Sequence, residues 1–307
     1  MFKKILLMVV IISIFLDYFV SVKYKNFVEE IQSNKEMLEQ YEVVKNHPLK
    51  KISVNGLEWY YYIKRPENVK KPKTILFLHG MTGSYDIWWQ QLYEFQKNYI
   101  VVSYTLPQEV DSLKKVEEGI FTILEQEQLE QIILVGTSMG GYIAQYLTNY
   151  YPEKIIGAVF SNTFPPNPII KKENDLKSKF LRLIPEILFY RFFVSNIKNQ
   201  ILPTSDNSQI LKGFLLSLPI TKKQFLNRYK IITEEFDINR EDKVVLIPKL
   251  IIESENDPLI KPELRYRLKE IYKEAKVTTF SDKGHFPYVI DASTYNHILY
   301  DFINNIN

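Results

Sequence analysis

The stretch IILVGTSMGGYIAQYL, residues 132–147, carries three of the ten glycines of a 307-residue chain within six positions. An apolar run precedes Ser138 and a helix-forming segment follows it, which predicts a strand, a tight turn and a helix. Gly136 and Gly140, two positions either side of the serine, leave the turn free of side chains, and Gly141 lets the helix pack closely on a sheet. The pattern is typical of a nucleophile elbow, where a strained turn exposes a serine hydroxyl.

Strands and helices alternate outward from this turn, which predicts an α/β fold with a mostly parallel sheet covered by helices on both faces. The Asn55-Gly56 pair predicts an initial β-hairpin. The other predicted elements are strands at KTILFLHG (73–80), YIVVSYTL (99–106), KIIGAVFSNT (154–163), VVLIPKLIIES (244–254) and KVTTF (276–280), and helices at 112–129, 261–275 and from Ala292.

The alternation stops for about seventy residues at 164–236, where clustered prolines are followed by helical, aromatic-rich segments. We interpret this part as a helical cap inserted into a core formed by residues 51–163 and 237–307. Residues 23–50 are charged and helix-prone, and predict a helical connector.

Residues 1–22 differ from the rest because lysines precede an apolar run that is broken only by Asp17. A helix from Ile5 to Val22 would be about 27 Å long, close to the thickness of a bilayer core. The segment therefore predicts an uncleaved signal-anchor or transmembrane helix; a cleaved signal peptide, giving a secreted protein, and a packed helix are the alternatives. Positive charge before the run slightly outweighs the charge after it, which favours a membrane-anchored protein with an extracytoplasmic body over a cytoplasmic one.

The composition excludes several classes of site. The chain has no cysteine, so it has neither disulfides nor thiolate metal ligands, and its four histidines make a multi-histidine metal site improbable. A formal net charge of +3 over 307 residues does not indicate nucleic-acid binding. We expect no cofactor and no metal.

A serine hydroxyl needs a base to remove its proton, and in elbow folds the chain order is serine, acid, histidine. Two histidines follow Ser138, namely His285 and His297. His297 falls inside the last predicted helix, which indicates a packing or surface role. His285 lies in a loop after the strand KVTTF, next to Gly284, and is the predicted base.

The carboxylate that orients the histidine is predicted from its position after a strand. Asp257 directly follows a buried strand in KLIIESENDPLI, with Glu253 and Glu255 as alternatives. The other downstream aspartates lie in or beside the insertion, before a strand, or too near the histidine along one loop: Asp175, Asp206, Asp237, Asp242 and Asp282.

Two backbone N–H groups are predicted to form an oxyanion hole, those of Met139 after the serine and Met81 in the loop HGMTGS. Gly80 and Gly83 allow this loop to bend, and His79 is predicted to anchor it by hydrogen bonds.

The motifs LFLHGMTGS, GTSMGG, ENDPLI and GHFPY stand in the order and spacing of the α/β-hydrolase superfamily, which the chain resembles from about residue 52 onward. The segments around the elbow and His285 are similar to the maspardin branch, in which some members lack a complete triad and act as binding proteins. A serine in the elbow, where epoxide hydrolases and haloalkane dehalogenases have aspartate, makes those two activities improbable.

The resemblance and the motifs together predict a serine hydrolase that cleaves a small, apolar carboxylic ester through an acyl-enzyme on Ser138. An amidase, a peptidase and a carbon–carbon bond hydrolase use the same chemistry and remain alternatives. A non-catalytic, membrane-tethered binding protein is the alternative of another class.

Overall fold

One sheet of eight strands organises the protein, in the order β1-β2-β4-β3-β5-β6-β7-β8. The computed structural model describes Met8, Ile11, Ile12 and residues 26–206, 208–238 and 241–306. β1 and β2 pair antiparallel, β2 pairs antiparallel with β4, and the remaining pairs are parallel. The strands are β1 Lys50–Val54, β2 Leu57–Lys64, β3 Thr74–Leu78, β4 Ile100–Thr105, β5 Ile132–Thr137, β6 Ile155–Ser161, β7 Lys249–Ser254 and β8 Lys276–Phe280.

The expected α/β architecture is confirmed, because helices cover both faces of this mostly parallel sheet. Both β3 and β5 are buried along their whole length, as strands covered on two faces must be. The helices are α1 Phe27–Ile31, α2 Lys35–Lys45, α3 Trp89–Phe95, α4 Leu113–Gln126, α5 Met139–Tyr150, α6 Ile169–Leu183, α7 Glu186–Asn196, α8 Gln209–Ser217, α9 Lys222–Thr233, α10 Asp242–Val245, α11 Pro262–Ile271, α12 Pro287–Ile290 and α13 Ala292–Asn304.

The first hairpin and the strand before Asp257 were both predicted from local sequence. The hairpin forms at Asn55 and Gly56, which both take the positive φ angles, 51° and 78°, that a tight hairpin turn requires. The strand expected at 244–254 is shorter, because Val244 and Val245 belong to α10 and Pro248, which has no N–H to donate, precedes β7.

The predicted anchor at residues 1–22 lies outside the described residues, apart from Met8, Ile11 and Ile12. Across the ranges that the structure describes, every helix is too short or too polar to cross a membrane.

The segment predicted as a connector packs on the rest of the protein. Phe27 of α1 is buried and lies edge-on to Trp89 of α3, with ring centroids 5.4 Å apart, and to Phe214 of α8, at 5.1 Å. Tyr41 of α2 is 5.0 Å from the same ring. One aromatic cluster therefore joins the N-terminal helices α1 and α2 to α3 and to α8, one of the helices between β6 and β7.

Replacing Phe27 with alanine should lower the free energy of unfolding by about 3–5 kcal/mol, because it removes a buried aromatic ring and leaves a cavity. Urea unfolding measures the change. The same substitution at Phe192, whose ring is 58% exposed, is the matched control and should change stability by less than about 0.5 kcal/mol. Equal, small effects at both positions would show that α1 does not stabilise the body.

Candidate active site

Ser138 lies between β5 and α5 with φ 53° and ψ −118°, a strained conformation for a residue with a side chain. The turn is closely packed: a Cβ atom at Gly136 would be 2.2 Å from the Gly140 carbonyl oxygen, and one at Gly140 would be 2.0 Å from that of Leu78. The Ser138 N–H donates to the Ser161 carbonyl at 2.9 Å. Only glycine fits at positions 136 and 140. The glycine pattern in the sequence and the strained turn therefore have the same cause, which is the lack of space for a side chain on either side of Ser138.

His285 and Asp257 meet at the ends of β8 and β7. Nδ1 of His285 is 2.8 Å from Oδ2 and 3.0 Å from Oδ1 of Asp257, and both side chains are buried. Burial alone would raise the pKa of Asp257, but His285 and the hydrogen bonds to the carboxylate lower the pKa below its usual value. Because Asp257 is ionised, Nδ1 carries the proton and Nε2 is left as the basic nitrogen.

Asn162, which sequence analysis missed, connects Asp257 to the loop that carries His285. It follows β6 with φ 42°, and its Nδ2 donates to Oδ2 of Asp257 at 2.9 Å and to the Gly284 carbonyl at 3.1 Å. Its position directly after a buried strand, in the motif SNT, is a signal of the kind that identified Asp257. Asn162 thus holds both the carboxylate and the loop that carries His285.

His79 orients the peptide unit that contains the Met81 N–H. The Leu106 N–H donates to Nε2 of His79 at 3.1 Å, so Nδ1 carries the ring proton and donates to the Gly80 carbonyl at 2.8 Å. The Gly83 N–H donates to the same carbonyl at 3.0 Å. In a planar trans peptide the N–H points opposite to the C=O, so bonds that hold the Gly80 carbonyl also fix the direction of the Met81 N–H.

Arg228 of α9 is a second residue that sequence analysis missed. It is fully buried, and its guanidinium donates to the carbonyls of Met81, Gly83 at 2.9 Å and Leu106 at 3.1 Å. Burial lowers the pKa of Arg228 to about 9, which leaves the side chain protonated at neutral pH. An arginine of α9, between β6 and β7, therefore holds the loop after β3. Residues 164–236 also contain Arg182 and Arg191, and no local motif distinguishes Arg228 from them.

The other candidates for the acid and the base of the triad have different surroundings. Oε1 of Glu253 is 2.6 Å from the Lys269 ammonium, Glu255 is exposed, and His297 is 76% exposed beside Asp301.

Met139 is the first residue of α5, so its N–H has no acceptor within the helix. Gly80 lies against the elbow, since its Cβ would be 3.4 Å from that of Ser138.

A cleft of about 640 Å³ lies beside the loop after β3. Thr82 and Gly83 line it together with residues of α1, β2 and the α8–α9 connection, while Ser138, Asp257 and His285 do not. The cleft is therefore separate from the candidate triad. In the described ranges no three acidic or histidine side chains are grouped so that they could hold a metal ion.

His79 should make the protein less stable in acid. Burial and the nearby Arg228 lower the pKa of His79 to about 3, whereas an unfolded histidine has a pKa of about 6.5. Between these two pH values the unfolded chain binds a proton that the folded chain does not. The free energy of unfolding therefore decreases as the pH is lowered, by up to about 1.4 kcal/mol per pH unit.

The variant His79→Asn lacks this contribution, so its stability deficit relative to wild type should be largest at pH 7 and shrink toward pH 4. Urea unfolding across this range measures the deficit. His297→Asn, the same change at an exposed site, should show no such trend. A deficit for His79→Asn that is constant with pH would contradict the assignment of His79 as a buried neutral ring.

The chain is similar to known proteins over most of its length. The sequence model of the alpha/beta hydrolase family matches residues 75–292. Mouse maspardin is 22% identical over 257 residues, 81% of each chain. The pimeloyl-[acyl-carrier protein] methyl ester esterase of Hamiltonella defensa is 21% identical over 247 residues, 74% of this chain and 91% of the esterase.

Among solved structures, the enol-lactonase of Burkholderia xenovorans superposes with a TM-score of 0.70 at 14% identity, and the match covers 83% of this chain and all of the lactonase. Identity this low shows a shared fold and nothing finer. The family match, however, spans well over half of the sequence and includes Ser138, Asp257 and His285. This chain belongs to the alpha/beta hydrolase family.

Proposed function

We propose that the protein is a serine hydrolase that cleaves carboxylic esters through a covalent acyl-enzyme on Ser138. The contact between the Asp257 carboxylate and His285 Nδ1, at 2.8 Å, is the observation that supports this proposal most directly. It prepares Nε2 of a buried histidine to accept a proton, and Asn162 ties that histidine's loop to the strand beside the elbow. Family membership supports hydrolysis in general terms.

In the proposed reaction, Oγ of Ser138 attacks the ester carbonyl while Nε2 of His285 takes the hydroxyl proton. The imidazolium that forms is stabilised by ionised Asp257. His285 then gives the proton to the leaving alcohol, which leaves an acyl group on Ser138. Water, deprotonated by the same nitrogen, attacks the acyl carbon. The bond from this carbon to Oγ of Ser138 then breaks, His285 returns the proton to Oγ, and the carboxylic acid is released.

The negative oxygen of the tetrahedral intermediate would be held by the N–H groups of Met81 and Met139. The Met139 N–H lies at the positive end of α5, and the direction of the Met81 N–H follows from the bonds that His79 and Gly83 make to the Gly80 carbonyl. Donors held in place before the reaction stabilise the charge without reorganising as it develops.

We prefer an ester as the substrate class because one relative is a methyl ester esterase and another is 3-oxoadipate enol-lactonase 2 of Acinetobacter baylyi. The lactonase is 26% identical over 100 residues, which cover 29% of this chain and 36% of the lactonase. Both names describe cleavage at an acyl carbon bonded to oxygen. We propose that buried aromatic and aliphatic residues of the helices between β6 and β7 form the pocket for an apolar acyl group. Amides, peptides and the carbon–carbon bond of a diketone would use the same triad.

A non-catalytic binding protein is the second candidate, favoured by the similarity to maspardin across 81% of the chain. Labelling by a fluorophosphonate probe separates the two candidates, because it requires an activated serine.

We also propose that residues 1–22 attach the protein to a membrane with its body outside the cytoplasm. Protease protection of sealed membranes tests that orientation.

Replacing His285 with alanine should lower kcat for short p-nitrophenyl esters by at least about 10³-fold, since Ser138 loses its base. Ser138→Ala should have a similar effect and also abolish fluorophosphonate labelling. His297→Ala is the matched control and should leave kcat unchanged. Wild-type turnover by His285→Ala or Ser138→Ala would disprove the proposed mechanism.

Replacing Arg228 with lysine should lower kcat about 10-fold or more with little change in KM, because an ammonium cannot hold three carbonyls in the geometry of the planar guanidinium. Arg267→Lys, at an exposed arginine of α11, is the control. Added guanidinium ion should restore part of the activity of an Arg228→Ala variant. A pure rise in KM for Arg228→Lys would instead indicate a role in substrate binding.

A further inference from the structure

Two consecutive helices of the inserted region, α6 and α7, expose large apolar side chains. Leu176, Phe180 and Leu183 follow one another at spacings of four and three residues, so they lie on one face of α6. The exposed fraction is 80% for Leu176 and 81% for Leu183. Leu188 and Phe192 of α7 are exposed as well. Three such residues on one face of α6, unlike a single exposed leucine, mark an interaction surface. We call these three, together with Leu188 and Phe192 of α7, the apolar cap residues.

The same segment concentrates positive charge. Residues 169–198 contain seven lysines and arginines against three acidic residues, a net charge of +4, whereas the whole chain has a net charge of +3. The rest of the sequence is therefore close to neutral. All seven cations are exposed: Lys171, Lys172, Lys177, Lys179, Arg182, Arg191 and Lys198.

We propose that α6 and α7 dock on the surface of an anionic phospholipid bilayer. The apolar cap residues would enter the boundary between headgroups and acyl chains, and the flanking cations would contact lipid phosphates. An apolar row on a basic helix is the pattern of interfacial helices, and charge complementarity selects anionic over zwitterionic lipid. This surface lies in the described part of the chain and is independent of residues 1–22.

The positive charge of this segment also disfavours two other partners that could cover the apolar cap residues. A second copy bound through the same surface would bring two segments of net charge +4 together. The chain's own residues 1–25 contain four lysines and one aspartate, so they too would be repelled by this segment. Lipid phosphates carry the opposite charge and are attracted.

The helix that would contact the bilayer, α6, is close in sequence to residues of the candidate site. α6 begins after the loop that follows β6, and that loop starts at Asn162 and Thr163, which donate to Asp257 and to the Ser138 carbonyl. Docking would thus place the inserted region between the lipid surface and the core. The docking itself does not depend on the reaction proposed for Ser138.

Single-cysteine labelling tests the proposal on the 307-residue chain, which has no cysteine of its own. An NBD fluorophore is attached to Leu176→Cys or Leu183→Cys, and to Tyr266→Cys on α11, whose side chain is 66% exposed, as the matched control. With vesicles of phosphatidylglycerol and phosphatidylcholine, emission at positions 176 and 183 should rise several-fold and be quenched by nitroxide-labelled lipids. Emission at position 266 should not change.

Unchanged emission at 176 and 183, on vesicles that retain the protein, would overturn the proposal. Bright emission before vesicles are added would show that the face is covered by the chain itself or by a second copy, and would also overturn it. An equal response to pure phosphatidylcholine would contradict the choice of anionic lipid. Combining Lys177→Glu with Arg182→Glu should abolish the response, whereas Lys243→Glu with Arg267→Glu should preserve it.

Discussion

The close approach of α5 to β3 and β5 is the constraint on which the site depends. A Cβ atom at Gly140 would be 2.0 Å from the Leu78 carbonyl oxygen, so the helix can begin there only without a side chain. The chain must therefore turn sharply at Ser138, and the positive φ of that residue follows from the turn. The same turn places the serine at the carboxyl ends of the parallel strands, where the loops after β3, β6, β7 and β8 also emerge.

Three buried polar side chains, those of His79, Asn162 and Arg228, then hold these loops. Each of them donates to a backbone carbonyl of a loop: Gly80, Gly284 and Gly83, respectively. A buried donor without a partner is costly, and so is a buried carbonyl. Each contact satisfies both groups, so the side chain and the loop stabilise each other's position. The loops are irregular, yet they are held by hydrogen bonds at defined points.

The sheet could be predicted because its signals are local. Apolar runs and the Asn55-Gly56 turn depend on residues next to each other, and the structure contains the corresponding strands and hairpin. Asp257 and His285 could be proposed from their positions after strands, since parallel strands end at one edge. The expected strand at 244–254 was too long at its start, because an apolar run of this length is compatible with a helical turn as well as a strand.

The sequence by itself determined the elbow at Ser138 and the alternation of strands and helices, because glycine spacing and hydrophobic period act within a few residues. Only the tertiary structure decided that Arg228 binds the loop after β3, that Asn162 joins Asp257 to the His285 loop, and that Phe27 packs on Phe214. In the first two cases most partners are backbone carbonyls, which every residue has. In the third, the two rings are far apart along the chain, and only the folded sheet and the helices between β6 and β7 bring them together.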